Sequence, residues 1–482
     1  MKKSLSAVLL FSFLILFAGT SIVWGENKPL AENPEVAAAI AVFDAWAQQA
    51  VTDREQPGVS FGLVYDQDLI WAKGYGFADL AKKIPATPST AYRIASLTKL
   101  FTATAILQLR DAGKLQLDDP VVKYVPWFQL KDTCADSPVI TIRHLLTHTS
   151  GIPRELDGLY WDDMKFPEQK EFVSMLQQST TILPREKEFK YSNVAYSVLG
   201  YVIAKVSGES YPDYIKTHIL TPLGMTGTEV LPHKDMPTLA TGYKFHKPGQ
   251  TREVEPFLDV KAMVSAGNMA STVEDLAKFI SLQFRDGPAR GAQILKGSTL
   301  REMQRVQWLD PDWKSGRGLG WGVSRVDDQV RIGHTGSVPG HMTNISAAPA
   351  DKFGVIVLTN SDDGKPGSYA AKAWAIVAPA VKKATAEAEK PLAADSAWTK
   401  FTGEYVWSDS SISKVMLLAG ELCIVDPTSD SPWEGRTRLE PVSPGIFRMK
   451  DQDQKGELVR FELDSSGKVV RMVEPGYSAF PR

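Results

Sequence analysis

Two groups of strand-forming residues stand at opposite ends of residues 30–385, separated by a long helical middle, and this arrangement constrains the fold more than any other feature. Near the start, Val59, Phe61, Leu63 and Tyr65 alternate with Ser60, Gly62 and Val64. Asp66-Gln67-Asp68 then reads as a turn, and Leu69–Lys73 runs back before Gly74-Tyr75-Gly76. That pattern predicts a β-hairpin. Near the far end, Gly320–Val326, Val330–Gly333 and Val355–Thr359 are again strand-like. Between them, helical spacing predicts segments at Leu97–Ala112, 141–148, 194–207, 211–220 and Val273–Phe284. Gly113, Gly151, Gly208 and Pro222 supply stops. A helix from Pro34 to about Val51 precedes the hairpin, and another from Ala371 to Val381 follows the last strand. Strands at both ends of a helical middle predict an α+β layout whose sheet draws on distant parts of the chain.

The stretch Lys382–Asp395, K-K-A-T-A-E-A-E-K-P-L-A-A-D, has linker composition, so a boundary is expected near residue 390, with the linker at 386–396. Beyond it, short alternating runs at 402–406, 414–418, 421–425, 437–440, 446–449, 457–463 and 468–473 predict a small antiparallel β barrel or sandwich over 397–482. A chain of 482 residues that is 43% hydrophobic has room for two or three such domains. Its net charge of -2, with no Lys/Arg-rich block, argues against a nucleic-acid partner.

Residues 1–25 are built like a secretory signal: Met1-Lys2-Lys3, an apolar stretch from Ala7 to Ala18, and small residues at Val23 and Gly25 framing a cut. The mature chain then begins near Glu26, without a membrane span, and is secreted or periplasmic. The alternative is an uncleaved anchor, because the apolar run extended through Ile22 and Val23 approaches the length of a span. Cys134 and Cys423 are the only cysteines, which excludes a disulfide framework and leaves either one bridge between domains or two thiols.

Two serine patterns compete for the chemistry. Gly58-Val59-Ser60-Phe61-Gly62 has the spacing of a nucleophile elbow, but an elbow needs a strand that turns sharply into a helix, and here strand follows strand. Gly58 and Gly62 are better explained by strand entry and close backbone packing. The second pattern is Ser96-Leu97-Thr98-Lys99. Ser411–Lys414 and Ser465–Lys468 share its spacing, yet only Ser96 opens a predicted helix, where three residues make slightly less than one turn and set Lys99 beside Ser96. A buried lysine of lowered pKa can take a serine proton, and unpaired N–H groups at a helix start suit an oxyanion. The competing reading is a helix-capping serine followed by a surface lysine.

Further stretches decide between them. Tyr191-Ser192-Asn193 precedes an apolar helix, and Gly333-His334-Thr335-Gly336 ends a strand-like run. With Ser96-x-x-Lys99, these resemble the three active-site motifs of the serine β-lactamase and penicillin-binding protein superfamily, in the branch holding class C β-lactamases, D-alanyl-D-alanine carboxypeptidases and family VIII esterases. Leu117-Asp118-Asp119-Pro120, the stretch Thr141–Gly151 and Val357-Leu358-Thr359-Asn360 agree with the same family. The resemblance implies an antiparallel sheet flanked by helices with a helical subdomain, and a C-terminal domain similar to the lipocalin-like module of some relatives. It implies a serine hydrolase acting through an acyl-enzyme on Ser96, with Lys99 and Tyr191 sharing the general-base role. Asn193 would hold Lys99 and a substrate amide oxygen. The backbone N–H groups of Ser96 and Ser337 would form the oxyanion hole, while His334, Thr335 and Gly336 would line the substrate.

One departure bears on the substrate. Where class C β-lactamases begin the third motif with lysine, this chain has His334, which at pH 7 is mostly neutral. The site lacks a dependable cation, so a D-stereospecific peptidase, amidase or esterase is expected ahead of a class C-like β-lactamase or family VIII carboxylesterase. The non-enzyme alternative is a penicillin-binding sensor that is acylated without turnover. The partner in each case is a small-molecule or peptide substrate, with no cofactor and no metal. His144 and His148 are four residues apart, but the glutamate of a His-Glu-x-x-His site is missing. His341, after Pro339-Gly340, is expected to be a solvated loop residue, and the hairpin's sheet is expected to carry His334-Thr335-Gly336 at its other end.

Overall fold

The computed structural model describes residues 30–134, 136–158, 160–287, 291–326, 329–388, 396–418, 420–430, 432, 435–451 and 453–482. The stretch read as a signal, residues 1–25, and most of the expected linker lie outside the described residues. The chain divides into two compact units, which meet in sequence between Ala384 and Thr385.

The first unit is built on a nine-stranded antiparallel sheet. The hairpin forms as read: Gly58–Tyr65 pairs with Asp68–Asp79 on one side and with Phe353–Thr359 on the other, so Phe61 lies opposite both Lys73 and Val357. Alternation sorts the first strand between two cores. Val59, Phe61 and Leu63 pack with Phe43, Tyr369 and Trp374, carried by the helices Pro34–Asp53 and Pro366–Ile376. Asn33 starts the first of these helices, its side chain accepting from the N–H groups of Glu35 and Val36, with Pro34 supplying a preset first turn. On the opposite face lie the helices Thr98–Asp111 and Val273–Leu282, whose Phe101 and Phe279 rings stack at 4.3 Å. Burial of both faces explains why Phe353–Thr359 reads as a continuous apolar run.

Ser60 points to the second face, fully buried, its hydroxyl donating to the Thr87 carbonyl at 2.8 Å and lying 2.9 Å from the Tyr92 hydroxyl. It is a tied-down structural group. A Cβ on Gly58 would overlap the Phe77 carbonyl, and one on Gly62 would press on Val273, which accounts for both glycines.

Two expectations about the far side of the sheet need correction. The third-motif residues do not end their strand, which runs from Gln329 to Val338. Nor does that strand close the sheet, since Gly322–Val326, Ser315–Arg317 and Trp308–Leu309 follow it. Pairing with Gly322–Val326 nevertheless stops at Gly333, whereas on the other side His341–Ala348 pairs as far as Val338. From His334 onward, the outer edge has no strand beside it. The neighbouring strands Gly322–Val326 and Ser315–Arg317 are short, and this shortness could not be read from alternation.

The second unit is a closed eight-stranded barrel, each strand antiparallel to the next. Closure comes from pairing Gly403–Trp407 with Tyr477–Pro481. That last strand was absent from the expected runs; it is short and holds Pro481, and its pairing with Val469–Glu474 and, across the seam, with Gly403–Trp407 makes it a strand. The interior is filled by Tyr405, Phe447, Phe461 and Met472. Phe401, from the short helix Ser396–Phe401, stacks 4.8 Å from Phe461. Cys134 and Cys423 are both free thiols.

Candidate active site

The chain leaves the two-residue strand Tyr92–Arg93, makes a 3₁₀ turn over Ala95–Leu97 and enters the helix Thr98–Asp111. Ala95 has φ of 49°, a left-handed conformation that costs an alanine about 1–2 kcal/mol. Such strain persists where packing imposes it. Here the Ala95 side chain sits 1% exposed beneath the third-motif strand. A Cβ on Gly336 would overlap both the Ile94 carbonyl oxygen and the Thr343 hydroxyl. The strand passes so close to the turn carrying Ser96 that only glycine fits. Gly336→Ala is therefore expected to destabilise the protein by about 1–3 kcal/mol, read as a lower urea midpoint, and to reduce turnover by displacing Ser337 and Ser96 from each other.

Ser96 is not a helix cap. The residue preceding the helix is Leu97, with no side-chain cap, and Ser96 Oγ instead accepts from Lys99 Nζ at 3.1 Å. Nor is Lys99 a surface lysine, being fully buried. Its Nζ donates also to Asn193 Oδ1 at 2.8 Å and to the Ala266 carbonyl at 2.6 Å, which accounts for three donors. Burial pushes the Lys99 ammonium below the ordinary lysine range. Tyr191 and Glu155 oppose that shift, and Arg154 adds to it.

The second motif lies at the start of the helix Asn193–Ser207. Ser192 caps it, accepting from Ala195 N–H at 3.0 Å and donating to the Pro153 carbonyl at 2.7 Å. This cap aims Asn193 at Lys99 and leaves Tyr191 just outside the helix, its ring centroid 5.0 Å from Lys99 Nζ. His148 backs Tyr191, with ring centroids 4.4 Å apart, and its Nδ1 accepts the Ser192 N–H at 3.0 Å. Burial, with Lys99, His334 and Arg317 nearby, holds His148 neutral far below the ordinary histidine range. His144 turns away and meets Glu186 at 3.0 Å, so the two histidines share no site. Among the described residues, no group of His, Cys, Asp or Glu side chains is assembled to hold a metal.

His334 stands 6.3 Å from Tyr191, ring to ring, and donates from Nδ1 to the Thr335 carbonyl at 2.7 Å. Burial, reinforced by Lys99 and Arg317, draws its pKa down to about 4 against that hydrogen bond. At neutral pH the third motif thus carries no charge. His341 corrects its expectation: it opens the strand His341–Ala348, only 4% exposed, edge-on to Tyr92.

The space around these groups has two parts. Ser96, Asn193 and Ser337 border a pocket of about 50 Å³, walled largely by Trp161, Phe166, Val260, Met263 and Val338. Tyr191, His334 and Thr335 border a cavity of about 480 Å³, shared with Phe189 and Arg317, whose guanidinium lies 3.9 Å over the Phe189 ring. Sequence reasoning missed Glu155, which accepts a hydrogen bond from Asn193 Nδ2, as well as Arg317 and the Ala266 carbonyl. None lies in a motif, and no periodicity marks them.

Residues 43–378 match the family model described as Beta-lactamase, and the chain belongs to that family, whose fold is shared by hydrolases. Protein flp of Staphylococcus aureus (strain MRSA252) is 32% identical over 306 residues, 63% of this chain, which spans 59% of that relative's length. Beta-lactamase-like protein 2 of Dictyostelium discoideum is 26% identical over 96% of this chain and 88% of its own. Among solved structures, the octameric penicillin-binding protein homologue from Pyrococcus abyssi superposes with a TM-score of 0.62 at 25% identity, covering 91% of this chain and 99% of that one.

Proposed function

We propose that this chain is an exported serine hydrolase that forms an acyl-enzyme on Ser96 and cleaves amides or esters of small acyl groups, D-configured peptides included. The observation that carries the reading is Lys99: a fully buried amine 3.1 Å from a serine hydroxyl, with burial favouring its neutral form. In this mechanism Lys99 takes the Ser96 proton as Oγ bonds to the substrate carbonyl carbon. The N–H groups of Ser96 and Ser337, which border one pocket, receive the oxyanion. Tyr191 passes a proton to the departing amine or alcohol, and water then attacks the acyl ester with Lys99 and Tyr191 again accepting its proton. The free edge beyond Gly333 offers the substrate backbone a strand to lie along.

Two features support the choice of substrate. The apolar pocket beside Ser96, at about 50 Å³, suits a methyl-sized or slightly larger acyl substituent. The neutral His334 gives no fixed charge to a β-lactam carboxylate, which disfavours the β-lactamase alternative. The mature protein is expected to turn over p-nitrophenyl acetate and a D-Ala-D-Ala peptide, with p-nitrophenyl octanoate slower in kcat/KM by about 10-fold or more. Nitrocefin turnover faster than ester turnover would mean a β-lactamase. A stoichiometric burst that stops after one acyl group per chain would mean a sensor.

A further inference from the structure

Asn193 has two hydrogen-bonding ends, and its neighbours differ in what they need. Lys99 Nζ can only donate, so it requires the amide oxygen, which it meets at 2.8 Å. The amide nitrogen must then find an acceptor, and Glu155 Oε1 accepts from it. Glu155 is itself held. Its Oε2 accepts from the Tyr160 hydroxyl at 3.1 Å, and that hydroxyl accepts the Leu156 N–H at 2.9 Å. Tyr160 is 5% exposed and packs 5.0 Å from Phe166. Both carboxylate oxygens thus face donors, which favours the ionised form, while burial outweighs them and raises the Glu155 carboxyl above the ordinary glutamate range.

We propose that Glu155 is a positioning residue for this hydrolase: it holds the Asn193 amide with its oxygen toward Lys99 and thereby sets Lys99 against Ser96. The inference rests on the serine-hydrolase reading above. Glu155 lies outside all three motifs, on the segment after Gly151, and touches neither Ser96 nor Lys99 directly. Without it the amide is free to turn its NH₂ end to Lys99, setting donor against donor in a buried site. Lys99 would then lose the Asn193 oxygen as an acceptor and keep Ser96, the Ala266 carbonyl and its interaction with Tyr191.

Its charge has a second consequence. Around Lys99 stand Tyr191, Tyr196, His148, His334, Arg154 and Glu155. Arg154 also neighbours Glu155, but it is 65% exposed with Nε 3.8 Å away, so its screening is strong. Glu155 is the acidic side chain among those facing Lys99, and it favours the ammonium. Replacing it by an isosteric neutral group should therefore let Lys99 lose its proton at lower pH.

The test uses Glu155→Gln and Glu155→Ala in the full mature chain, with melting followed in parallel. Ester turnover is measured across pH, and Ser96 phosphonylation by a fluorophosphonate is measured separately. Glutamine keeps an oxygen for Asn193, so its kcat at the optimum should stay within about 3-fold of wild type while the acid limb of kcat/KM moves to lower pH. Alanine should lower kcat by about 10–100-fold, with KM changed less than about 3-fold. A wild type inert to the fluorophosphonate and to esters would overturn both readings. A reactive wild type whose Gln and Ala variants match it in kcat and in pH profile would overturn this one alone.

Discussion

Ser96→Ala is expected to lower kcat/KM for p-nitrophenyl acetate by about 10⁴-fold or more, and to abolish labelling by a fluorophosphonate. The change removes one exchangeable hydroxyl from a half-buried turn and leaves the turn's packing, carried by Ala95 and Leu97, in place. Lys99 loses one of its three acceptors, so melting should fall by a few degrees at most. The control is Ser60→Ala, in the pentapeptide whose spacing mimics a nucleophile elbow. It loses two buried hydrogen-bond contacts, to Thr87 and Tyr92, and should cost about 1–3 kcal/mol in stability with turnover per folded molecule retained. Full activity in Ser96→Ala, measured on active-site-titrated protein, would remove the central assignment.

Lys99→Met is expected to reduce turnover by about 10³-fold or more while the protein stays folded. Opposing costs set the second half of that statement. Taking an ammonium out of water costs several kcal/mol, and methionine, of similar length, ends that cost. Against it, the Ala266 carbonyl and Asn193 Oδ1 lose their donor, at about 1–3 kcal/mol each. The sum lies near zero, so thermal unfolding should shift by a few degrees at most while ester hydrolysis is lost. The linkage has a definite sign, because Lys99 has a lowered pKa in the folded protein. As pH falls from the ordinary lysine value toward the folded one, the unfolded chain takes up a proton that the folded chain does not, and the wild type loses stability. The methionine variant should be less sensitive to acid over that range. Equal acid sensitivity in the two proteins would show that the buried amine does not carry this penalty.

How much could be read from the chain alone differs from element to element. The hairpin at Gly58–Asp79 and the helices at Pro34–Asp53 and Thr98–Asp111 were legible because their periodicities, 2 and 3.6, are set by local backbone geometry. The strand Gln329–Val338 was seen only as far as Gly333, because His-Thr-Gly-Ser lacks alternation and is held as strand by its pairing with His341–Ala348. The last barrel strand was missed because it is short and holds Pro481, and the partner that closes the barrel lies at the other end of its unit.

In the site, the identities of Ser96, Lys99, Tyr191, Asn193 and His334 came from motif order, since three residues on a helix must bring Ser96 and Lys99 to one side whatever the rest of the chain does. Other properties depend on atoms that meet only in the folded chain. Lys99 is buried by Ala266 and by Asn193 and Tyr196 of the helix Asn193–Ser207, segments distant from it in the chain, and its loss of hydration follows from them. The neutral state of His334 and the grip of Glu155 on Asn193 arise in the same way. Local spacing along the chain therefore told which groups could react. The surrounding tertiary packing decided which of them is dry, which is charged and which way each points, because desolvation and hydrogen-bond partnership are properties of everything around a group.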